Sequence, residues 1–114
     1  MRKILFFEKE AGGCPVEDFL DWLSAKQAKK VTWVMNLVEE MEVVPKQYFK
    51  KLTNTQNIWE IRITIDGIVF RVLGFFLGDG CFIATHGFQK KTQKTPKKEI
   101  SMAERYKKDY LRRL

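Results

Sequence analysis

IWEIRITIDGIVFRVLGFF, residues 58–76, is the stretch on which the fold turns. Trp59, Ile61, Ile63 and Ile65 alternate with Glu60, Arg62 and Thr64, the period-two pattern of a strand with one face buried. Asp66-Gly67 follows, a pair suited to the two-residue turn of a β-hairpin. A second strand then runs from Ile68 to Phe76. With Asp66-Gly67 as the whole loop, Ile65 faces Ile68 and every opposed pair of residue numbers sums to 133. Gly78-Asp79-Gly80 turns the chain again, and a third strand is expected from Cys81 to about His86.

Outward from this meander the period changes. Residues 2–8 are rich in strand formers and end at Ala11-Gly12-Gly13. Pro15 suits a first helical position, with Cys14 as a weak N-cap. Val16, Phe19, Leu20 and Leu23 then form a helical stripe. Ser24 and Gln27 have the spacing of a capping box opening a second helix, which carries Val31, Val34, Met35, Val38 and Met41 before Pro45. On the far side of the meander, Thr95-Pro96 reads as N-cap and first position of a closing helix with Ile100, Ala103, Tyr106, Tyr110 and Leu114 as its apolar stripe. The expected order is β-α-α-β-β-β-α: an α+β chain with an antiparallel sheet, an N-terminal αα-hairpin and a basic C-terminal helix, one domain over residues 1–114.

The 114 residues carry 21 Lys and Arg against 14 Asp and Glu, a net charge of +7. Residues 1–88 are balanced, eleven against eleven, so residues 89–114 hold the whole excess with ten basic and three acidic side chains. That distribution points to a polyanion or an acidic partner, with a solvated basic helix as the competing explanation. No apolar run approaches a membrane span, and the N-terminus lacks a signal-peptide core. Cys14 and Cys81 stand apart with no metal-ligand spacing, and no nucleotide-binding or metalloprotease motif occurs. A cytoplasmic chain without cofactor or metal is the expectation.

The hairpin register places Arg62 directly across from Arg71. Like charges so placed destabilise a sheet, and a pair of planar guanidiniums suits a phosphate. For the third strand, either two-residue loop, Gly78-Asp79 or Asp79-Gly80, puts His86, the only histidine, on the same face. A bulge or an odd-length loop would move it to the other face. The neighbouring positive charge should hold its imidazole neutral and able to accept a proton. In the competing reading the two arginines pair with Glu60 or with helix carboxylates.

Together the stretches IWEIRI (58–63), FRVLGFF (70–76) and ATHGFQKKTQKTPKKEI (84–100), followed by a basic Tyr-containing helix, resemble the phage-derived branch of the RelE/HigB-like toxins, in the RelE/ParE superfamily. The resemblance covers nearly the whole chain and is most specific at HGFQKKTQKTP, residues 86–96. It implies a toxin of a type II toxin–antitoxin pair that cleaves mRNA on the ribosome and is neutralised by a helix-turn-helix antitoxin encoded alongside. Carried over by position, it marks Arg62, Arg71, His86, Lys90 and Lys91 as the catalytic set. Phe88, Lys94, Lys97, Lys98, Arg105, Lys108 and Arg112 are the expected contacts to RNA and ribosome. Cleavage by 2′-OH attack needs a proton acceptor, stabilisation of the pentacoordinate phosphate and a proton for the leaving 5′-oxygen, giving a 2′,3′-cyclic phosphate and a 5′-OH. The first task falls to His86, the second to Arg62 and Arg71, the third to Lys90 or Lys91. A second functional class is a non-catalytic nucleic-acid-binding protein, either a phage host-inhibition factor or an inactivated toxin.

Overall fold

The structure is a computed structural model describing residues 1–114. Its elements run β1 (Lys3–Phe6), α1 (Pro15–Trp22), α2 (Ala25–Glu40), β2 (Phe49–Lys51), β3 (Trp59–Ile65), β4 (Ile68–Leu77), β5 (Cys81–Lys90) and α3 (Lys97–Arg112). The mixed α+β class agrees with the sequence reading, but the order differs by one element, because β2 adds a fifth strand. The sheet order is β1-β5-β4-β3-β2, with β1 parallel to β5 and every other pair antiparallel.

The β3–β4 hairpin has the expected register, including Arg62 opposite Arg71. Its turn residues Asp66 (φ 52°) and Gly67 (φ 76°) both take positive φ, as a type I′ turn demands. The β4–β5 hairpin departs from both two-residue loops. Leu77 pairs with Cys81, so Gly78-Asp79-Gly80 form a three-residue loop, and Thr85 is an extra residue between the pairs Gly74–Ala84 and Leu73–His86. Each irregularity alone would reverse the face of His86. Together they cancel, and His86 lies opposite Leu73 on the face of Arg71 and Arg62. β5 also continues to Lys90, beyond the expected end near His86, and β1 covers it only through Ala84.

Side chains alternate across the sheet into two cores. On one face Ile61, Ile63, Phe70, Val72, Phe82 and Ala84 pack against Val16 and Phe19 of α1 and Val31, Val34 and Val38 of α2. Ser24 and Gln27 complete the expected capping box at the start of α2. On the other face Ile58, Leu73, Phe75 and Ile83 meet Ala103 of α3, with Phe7 stacked on Tyr106 (centroids 4.7 Å apart). Leu114, expected in the stripe of α3, is exposed. The closing helix begins at Lys97 with Pro96 as N-cap, one residue later than expected, and Thr95 has a different partner.

A cation-lined cleft beside α3

The register arranges one sheet face in rows. Lys50, Glu60, Leu73 and His86 form the first across β2–β5; Arg62, Arg71 and Phe88 form the second; Thr64, Val69 and Lys90 form the third. Glu60 sits among the cations. Its Oε1 accepts from Arg71 Nε at 3.0 Å, both side chains being about 95% buried, and lies 3.9 Å from Arg62 Nε. Thr95 Oγ1 donates to Glu60 Oε2 at 3.1 Å, pinning the connector between β5 and α3 onto the sheet. Arg71 also donates to the Phe70 carbonyl. Burial pulls its pKa below the ordinary arginine value, Glu60 opposes the shift, and Arg62 adds to it. Arg71 is thus already paired, as the competing reading held.

Arg62 is different. It donates through Nη1 to the Lys46 carbonyl at 3.2 Å, but its buried Nε has no hydrogen-bond partner. That N–H is shut off from solvent with Glu60 Oε1 3.9 Å away, so what Arg62 offers a ligand is the rest of its 30%-exposed side chain. Arg62 opens into a cleft of about 1020 Å³ whose charged lining residues are Lys50, Arg62, Lys90, Lys94 and Lys97 against Glu60 and Glu104. Both carboxylates have donors already: Glu60 as above, and Glu104 the backbone N–H of Gln56. The lysine ammonium of Lys90 is destabilised, so its pKa falls below the ordinary value. Partial burial is the largest cause and Arg71 the next; Arg62 and Lys50 add to it, and Glu60 opposes it. No three His, Cys, Asp or Glu side chains converge where they could hold a metal ion.

His86 belongs elsewhere. It is 5% exposed and lies in a second cleft of about 470 Å³, with Pro15 and Phe19 of α1 and Glu99 and Met102 of α3. Phe88 stacks on its ring at 5.8 Å. Its Nε2 is 3.2 Å from Glu99 Oε1 and its Nδ1 3.1 Å from Thr85 Oγ1. Burial lowers its pKa and Glu99 works against that shift. A hydrogen on Nε2 suits the Glu99 contact, while the Thr85 hydroxyl, which also lies 3.1 Å from the Leu73 carbonyl as its donor, has a single hydrogen to place between that carbonyl and Nδ1. Burial is the cause that lowers the imidazole pKa, whereas the sequence reading expected the arginines to do so.

The remaining expected contacts disperse. Lys94 and Lys97 line the larger cleft. Lys91 is exposed just past the end of β5, and Lys98, Arg105 and Lys108 are exposed along α3. Arg112 pairs with Asp109 and Glu10. Lys50 was missed, because it lies on the three-residue β2, too short and too polar for periodicity to register. Its pairing with Glu60 carries it onto the face of Arg62 and Arg71.

A five-stranded sheet with helices on both faces and a cation-lined cleft under one of them defines a small α+β protein with a positively charged cleft. The chain belongs to the family described as Phage derived protein Gp49-like (DUF891), whose model matches residues 18–108, and this family lies in the RelE/toxin-like group. No curated protein was found to match it. No helix is long and apolar enough to cross a membrane.

Proposed function

We propose that the protein is the toxin of a type II toxin–antitoxin pair and an mRNA endoribonuclease that works on the ribosome, with the larger cleft as its phosphate site. The observation that carries this reading is the cleft itself, where five cationic side chains, Arg62 among them, stand against two carboxylates already engaged by donors. Family membership adds weight. Arg62 and Lys50 grip the scissile phosphate, and Arg71, locked to Glu60, fixes the geometry behind them. The 2′-oxygen gives up its proton and attacks phosphorus while the 5′-oxygen leaves with a proton, producing a 2′,3′-cyclic phosphate and a 5′-OH. Lys90, with its lowered pKa, is the cleft's candidate for proton exchange. His86 in this reading anchors α3 through Glu99 rather than moving a proton. Lysines along the cleft rim and α3 give salt-dependent, sequence-independent attachment to RNA backbone. A helix-turn-helix antitoxin encoded alongside is the proposed neutralising partner.

The test is expression in a bacterial host, with growth and mRNA 5′ ends followed together. Wild type arrests growth and produces new 5′-OH ends; Arg62→Ala and Lys90→Ala keep the fold and abolish both. Undiminished toxicity in the two variants overturns the site. The pairing of Arg71 with Glu60 favours a second reading, an RNA-binding inhibitor without chemistry, and arrest without new 5′ ends selects it.

A further inference from the structure

The buried stripe of α2, Val31, Val34, Met35 and Val38, leaves Trp33 on the opposite side, 49% exposed. Its ring is nonetheless positioned. Tyr48 meets it edge-on with centroids 5.9 Å apart, and Lys30 Nζ stands 4.7 Å from its centroid. Tyr48 ties this aromatic to the cleft. Its carbonyl accepts the backbone N–H of Arg62 at 2.7 Å, and the Arg62 guanidinium reaches the carbonyl of nearby Lys46. Arg62, Tyr48 and Trp33 therefore form a continuous path around the β2 edge of the sheet, from the cleft to the outer side of α2.

We infer that Trp33 is a stacking platform for a nucleobase of single-stranded RNA, further along the strand from the phosphate that occupies the cleft; this rests on the function proposed above. A half-exposed indole held by a tyrosine and capped by a cation has the form of a base-stacking subsite, and any base can use it. Lys29 and Lys30 precede Trp33 by four and three residues, so both helix neighbours on that side are cationic. A second copy of this chain would set those lysines against their own equivalents, whereas an RNA strand brings phosphates to them. The path also gives the strand a direction, out of the cleft past Lys46 and onto α2.

The test uses a 2′-O-methyl RNA 12-mer, which resists 2′-OH attack, and a matched abasic strand, with binding read by fluorescence anisotropy across a salt series. Trp33→Ala should weaken binding of the base-bearing strand about 10-fold or more and leave the abasic strand unaffected. Trp33→Phe should restore most of the affinity while circular dichroism stays unchanged. The salt slope should be the same in Trp33→Ala as in wild type, and should fall by about 0.7 in Lys29→Gln. The inference is overturned if Trp33→Ala binds both strands as wild type does, if it loses both equally, or if Trp33 proves to drive self-association in sedimentation. An Arg62→Ala variant separates the two levels. If Arg62→Ala weakens binding and Trp33→Ala does not, the stacking subsite fails and the cleft stands. If wild type binds neither strand at low salt, both fail.

Discussion

Removing the carboxylate of Glu60 strands two arginines at once. Glu60 Oε1 and Arg71 are joined at 3.0 Å with side chains 4% and 5% exposed, Arg62 is 3.9 Å from the same oxygen, and Thr95 donates to Oε2. Breaking a buried ion pair from one side costs about 3–5 kcal/mol, because the surviving charge stays buried without compensation. A chain of this length has a total stability of roughly 6–17 kcal/mol. Glu60→Ala therefore removes a large fraction of it, and at about 4 °C per kcal/mol the melting temperature should fall by about 12–20 °C. Urea unfolding followed by far-ultraviolet circular dichroism measures the loss, with an unchanged m-value showing that the folded state is otherwise intact. The double variant Glu60→Leu/Arg71→Met removes both charges and should recover most of the stability. A Glu60→Ala protein within 1 kcal/mol of wild type would refute the reasoning, as would a double variant no better than the single one.

Three further outcomes follow from the geometry. His86 has its folded pKa depressed by burial, so its contribution is complete above the unfolded value of about 6.5 and is lost as pH falls through that value toward the folded one. Wild type should lose more stability between pH 7.5 and pH 5.5 than His86→Asn, and equal slopes in urea melts would contradict this. Gly87 lies under Phe19 of α1, where an added Cβ would overlap the ring, so Gly87→Ala should cost about 1–3 kcal/mol and Phe19→Leu should return part of it in the double variant. Thr95→Val deletes the hydroxyl that holds the connector to Glu60, and limited proteolysis should then cut within residues 91–96 faster than in wild type; an unchanged rate removes the clamp from the argument.

The sequence revealed most where a local rule left one answer. Asp66-Gly67 allowed one tight loop, and that loop set Arg62 against Arg71. Ser24 and Gln27 specified a helix start in the same way. The face of His86 was anticipated for a different reason than the one that holds: two departures from the assumed hairpin, the third loop residue and the Thr85 bulge, offset each other. Neither has a signature in Gly78-Asp79-Gly80 or in Ala84-Thr85-His86. The division of the expected catalytic set was also hidden. Rows on a sheet follow from register, but the Glu99 and Thr95 contacts depend on where α3 and its connector land. Asn54 and Asn57 show a similar limit. Both take positive φ before β3, doing with asparagine what a glycine-containing turn would do.

The parallel pairing of β1 with β5 also sets an order of events during synthesis. Lys3–Phe6 is made first, yet the residues it pairs with are Cys81–Ala84. At about 5–20 residues per second the roughly 75 residues between them take about 4–15 s to add. Throughout that interval the first strand lacks its partner, whereas β3 and β4 can close their own hairpin as soon as Leu77 has been added. Every row of the face that carries Arg62 and Arg71 draws on β3, β4 and β5. A nascent chain interrupted before residue 81 therefore has the residues of its αα-hairpin and no cation-lined cleft, which is complete only when its last quarter has been added.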